Sequence, residues 1–142
     1  MWRCTVLMVL IFALINGINE KTVMASDEKM DWGLTNLSIN DINTAEIRWS
    51  THNRIMLKKE EIYILVSLLR EVQKDDVTQY KGPGPKGGPA RINILLKSNE
   101  KLTLVLNGDH FLFRGRQVYQ IYLPELNAFT FSRIKKYSNS LN

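Results

Sequence analysis

Residues able to do chemistry are few in this chain and lie far apart. Histidine occurs twice, as His52 in the turn-like Thr51-His52-Asn53 and as His110 just after Gly108-Asp109. A zinc site takes four ligands, or three and a water, and the single cysteine, Cys4, sits at the amino terminus, far from both histidines. No metal site is expected. The acidic pairs Glu60-Glu61 and Asp75-Asp76 invite a general acid and base, but neighbours on a helix do not face one another. A carboxylate in the first turn of a helix is favoured by the helix dipole, which accounts for the first pair; the second reads as a solvated connection. No serine stands in the glycine-x-serine-x-glycine pattern of a nucleophile elbow. The chain therefore reads as a non-enzyme.

Gly82, Gly84 and Gly87 match the letters of the dinucleotide fingerprint, glycine-x-glycine-x-x-glycine. That fingerprint works only when the turn follows a strand and opens a helix whose first amides meet the pyrophosphate. Here Pro83 and Pro85 remove two amide donors, and a strand pattern begins at Arg91, so no cofactor is expected. The same loop suits an anion better. Lys81, Lys86 and Arg91 flank its remaining amides, and Arg114 and Arg116 at another turn add to the same positive field; the five are the candidate contacts for an anion or a partner. The alternative is an ordinary strand connection whose lysines keep a small domain soluble.

The elements that position these residues follow from periodicity. Leu37 and Ile39 alternate with polar residues, as in a short strand, and over 45–50 Ile47 and Trp49 face one side while Glu46 and Arg48 face the other. From 58 to 74 the apolar Ile62, Leu65, Val66, Leu69 and Val72 recur at helical spacing, predicting an amphipathic helix. A further strand is expected over 77–81. Residues 81–89 read KGPGPKGGP, a composition that neither a helix nor a central strand tolerates. Alternation then returns at Ile92, Ile94 and Leu96, at Leu102, Leu104 and Leu106, at Phe111 and Phe113, and at Val118, Gln120 and Tyr122. The joints between these runs are short and turn-prone, which predicts an antiparallel meander. Pro124-Glu125 opens a last helix on which Leu126, Phe129, Ile134 and Tyr137 share a face. The expected fold class is α+β, a mainly antiparallel sheet (meander) with two helices packed on one face.

Arg3 precedes an apolar run over residues 6–15, followed by Asn16-Gly17 and, further on, by Val23-Met24-Ala25. This is the layout of a secretory signal peptide, cut after Gly17 or Ala25; spanning a bilayer takes about 20 apolar residues. The expected organisation is a signal peptide over 1–25, a polar lead with a short strand over 26–44, a single α+β domain over 45–137 and a tail over 138–142. The domain would hold no cysteine and hence no disulfide, so its stability must come from its core. Charge is uneven. Residues 26–77 carry 7 basic and 10 acidic groups, whereas 78–142 carry 10 basic and 3 acidic. A positive field outside the cytoplasm attracts phospholipid headgroups, phosphate polymers or acidic proteins. Aromatics interleaved with Arg114 and Arg116 could suggest stacking on bases, but alternation explains Phe111 and Phe113 as core, and no nucleic acid is expected as a partner.

The strand ending near Trp49, the helix over 58–74, the glycine-rich break, the paired strands in INILLKSNEKLTLVLNGDHFLFRGRQVYQI and the closing helix together resemble small extracytoplasmic domains of unknown function. Such domains occur in exported proteins and lipoproteins of low-GC Gram-positive bacteria. The resemblance covers roughly residues 45–137. It implies an extracytoplasmic location, secreted or associated with membrane or cell wall, and no functional residue. Lipid-anchored members carry a cysteine after the apolar run, whereas Cys4 precedes it here. The expectation is a non-enzymatic interaction domain whose basic second half meets an anionic envelope polymer or membrane surface; the alternative is a protein-binding or inhibitory module acting on another exported protein.

Overall fold

Seven strands and two helices make up the computed structural model, which describes residues 34–86, 89–114 and 117–140. In chain order they are β1 (Ile42–Trp49), β2 (Asn53–Met56), α1 (Lys59–Arg70), β3 (Val77–Gln79), β4 (Arg91–Leu96), β5 (Lys101–Asn107), β6 (His110–Arg114), β7 (Val118–Tyr122) and α2 (Pro124–Ser140). The signal peptide expected over 1–25 and the start of the polar lead lie outside the described residues.

All seven strands form one antiparallel sheet in the order β2-β1-β4-β5-β6-β7-β3. The meander β4 to β7 forms its centre because each joint is too short for anything but a hairpin. At the tightest joint Asn107 pairs with His110 and Gly108 takes φ +65°, a conformation that costs a side-chain-bearing residue about 1–2 kcal/mol. Chain order breaks twice: α1 carries the chain from β2 at one edge to β3 at the other, and the segment after β3 returns it to β4.

Strand alternation sorts the side chains by face. Ile47, Ile92, Ile94, Leu104, Phe111 and Ile121 are fully buried on the side shared with Leu65, Leu69, Leu126 and Phe129 of the two helices. Both helices thus cover one face of the sheet, as the fold class requires. Trp49 closes one end of this layer against Tyr137 in an edge-to-face pair at 5.4 Å. Glu61 ties α1 down: its carboxylate accepts the Lys58 N–H at 2.8 Å and pairs with Arg133 of α2 at 3.1 Å.

Three local readings change. The short strand expected around Leu37 and Ile39 is a 3-10 turn, Ile39–Asp41, because the Ser38 hydroxyl accepts the Asn40 N–H and the Asp41 carboxylate accepts the Ser38 N–H, offering the backbone a local alternative to a ladder. Leu34 and Leu37 are nevertheless buried in the core. Residues 53–56, unassigned by periodicity, form edge strand β2 against β1. In β7 the inward residues are Tyr119 and Ile121, so Val118, Gln120 and Tyr122 face away from the helices.

Candidate functional site

Among the described residues, no helix covers the second face of the sheet. What crosses it is the connection from β3 to β4. These strands are four places apart in the sheet, a distance of about 19 Å at ~4.8 Å per strand, and the first part of the segment, Tyr80 to Pro85, lines a cleft with Val118 of β7, Leu112 and Arg114 of β6 and Val105 of β5. Its composition suits that course: the prolines donate no backbone hydrogen bond, and an extended chain needs none within itself. Tyr80 starts the crossing. Its N–H donates to the Val118 carbonyl at 2.9 Å, and its hydroxyl donates to the Pro83 carbonyl at 2.7 Å. The ring thereby closes over Gly82, where a Cβ would fall 2.6 Å from the Tyr80 hydroxyl oxygen. A side chain at this position would push the Tyr80 ring away from the Pro83 carbonyl.

Between this strap and the sheet lies a cleft of about 520 Å³. Val105, Leu112 and Val118 supply an aliphatic floor, Tyr80 and Pro85 an upper wall. Leu112 is only 7% exposed although it lies outside the helix-covered core. Two cations, Lys81 from the strap and Arg114 from the end of β6, also line the cleft, and no carboxylate does. No ion pair engages either of them among the described residues. The Thr103 hydroxyl is already committed, donating to Asn93 Oδ1 at 3.0 Å.

Beside the cleft the register builds a row of arginines. Arg48 of β1 stands opposite Arg54 of β2 on one side and Arg91 of β4 on the other, and Val105 follows on β5. Like charges directly across a strand pair are destabilising. A single carboxylate, Glu46, offsets the row, pairing with Arg48 at 2.9 Å and accepting from the Asn93 amide at 2.8 Å.

The five candidate cations do not form one cluster. Lys81 and Arg114 meet at the cleft; Arg91 belongs to the adjoining row; Lys86 is exposed on the strap and does not line the cleft; Arg116 lies outside the described residues. Arg48, Arg54 and the apolar floor escaped the sequence reading, because only strand register shows which residues of distant segments are neighbours. The outward placement of Arg48 was the available signal.

The remaining polar groups have structural work. His52 is exposed in the β1–β2 turn, and His110 packs against Tyr122 with ring centres 5.2 Å apart. Asp76 accepts the Gln73 N–H at 2.7 Å. Gly82 and Gly84 belong to a strap that leads into strand β4, so the helix a dinucleotide turn needs does not follow.

No family model matches the chain, and no curated protein matches it. Among solved structures it is similar to one described as "Crystal Structure of Putative Lipoprotein from Clostridium perfringens", at a TM-score of 0.52 and 17% identity over 66% of this chain and 81% of that one. At that identity the likeness is one of fold.

Proposed function

We propose that this is an extracytoplasmic, non-enzymatic interaction domain that meets phosphate-bearing envelope material through the open face of its sheet. The observation that carries this reading is the row Arg54–Arg48–Arg91, three cations on adjacent strands with Glu46 as partner to one of them. Guanidinium groups suit the task because their planar donors match phosphate oxygens in pairs. The extracytoplasmic location is supported by the layout of residues 1–25 and by the fold shared with the clostridial lipoprotein.

Retention on vesicles rich in phosphatidylglycerol and on a wall phosphate polymer tests the reading, each at low and at high salt. Each cation near an anionic surface contributes about 1 kcal/mol, so replacing Arg48, Arg54 and Arg91 together by Gln is expected to weaken retention about a hundredfold. High salt should release the unaltered protein, since screening shortens the reach of exposed charges to a few ångströms. Retention on neither surface at low salt, or retention indifferent to the triple replacement, overturns the proposal. Preference for one surface identifies which phosphate source the face serves.

A further inference from the structure

We infer that the cleft beneath the strap is a separate binding site for a small amphipathic anion, a phosphate headgroup on a short alkyl chain. A cleft of about 520 Å³ with an aliphatic floor lies between the strap and the sheet, apart from the helix-covered core. Its volume falls in the range of sites for small organic ligands, which are mostly apolar with a few convergent polar groups. The Tyr80 and Thr103 hydroxyls already donate within the protein, so the two cations are the side chains left to orient a ligand. The floor of Val105, Leu112 and Val118 selects an apolar body. The unpaired Lys81 and Arg114, with no lining carboxylate, select a negative head. Inorganic phosphate answers only the second half of this description, and a simple hydrocarbon only the first.

The site also differs from the arginine row, none of whose three residues lines the cleft. Each binding mode can therefore fail without the other.

The experiment is a titration of the isotopically labelled full chain with butyl, hexyl and octyl phosphate below their aggregation limits, followed by amide NMR shifts. Saturable shifts are expected at Lys81, Gly82, Val105 and Leu112, with affinity rising roughly fourfold per added methylene until the cleft is full. Inorganic phosphate and octyltrimethylammonium should each bind far more weakly, since one lacks the body and the other carries the opposite charge. Lys81→Gln with Arg114→Gln, both exposed positions, should weaken octyl phosphate about tenfold. The triple replacement in the arginine row should leave it within about threefold, because none of the three lines the cleft and the nearest, Arg91, stands two strands, about 10 Å, from the strand of Arg114, where a charge acts weakly through water. Affinity flat in chain length, equal binding of the cationic amphiphile, or shifts confined to other elements overturns the inference. Loss of octyl phosphate binding in the arginine triple variant would also overturn it, by merging the two sites into one.

Discussion

Arg91 has the Arg48 guanidinium across one strand pair and the aliphatic Val105 across the other, so nothing beside it in its row neutralises it. Arg91→Thr removes the like-charge neighbour and installs a good strand former. The expected result is a gain of about 0.5 kcal/mol in stability, read as a higher urea midpoint at unchanged slope, together with weaker retention on anionic vesicles. A fall in midpoint would show instead that Arg91 supports the fold and would remove it from the proposed surface. Lys81 and Arg114 were legible in the sequence because glycine, proline and cation together mark a loop or a hairpin end. Arg48 and Arg54 were legible only as polar positions. Their adjacency to Arg91 depends on long-range register, which periodicity does not encode, and Tyr80 gave no sign that its ring would fold onto Gly82.

The elements that read clearly were those whose period is reinforced by burial. β4 and β5 bury alternate leucines and isoleucines, and α1 buries Leu65, Val66 and Leu69 along one stripe. β2 did not read, because a four-residue edge strand with no fully buried position leaves no pattern. The strap read as a loop, yet its course over the open face follows from topology: β3 lies at the far edge because α1 crosses the sheet before it. Glu61 fixes that crossing by holding the first turn of α1 and bridging to Arg133. Glu61→Ala should cost about 1–2 kcal/mol, the sum of a lost helix-start bond and a half-exposed ion pair. Glu61→Gln keeps an acceptor for the Lys58 N–H and should cost less than half as much. Equal losses for the two, measured by urea unfolding, would assign the whole effect to the charge and none to the helix start.

At the scale of the whole molecule, charge and architecture point the same way. The surplus of cations after residue 78 could have been spread evenly, and the strand row shows that two arginines from the acidic part of the chain, Arg48 and Arg54, join Arg91 on the face that no helix covers among the described residues. One side of the sheet is occupied with holding the fold, and the other is the side on which the proposal places contact with something negative. What is negative depends on the compartment, since the same field inside a cell would meet nucleic acid first. The expected location therefore carries the choice of partner. Expression in a bacterial host followed by fractionation and intact-mass measurement is expected to give a species lacking residues 1–17 or 1–25, found outside the cytoplasm. Full-length protein held in the membrane would keep the open face tethered near lipid and would favour vesicles over wall polymer as its surface. Full-length soluble protein in the cytoplasm would overturn the extracytoplasmic proposal, and the arginine row would then have to be tested against nucleic acid instead.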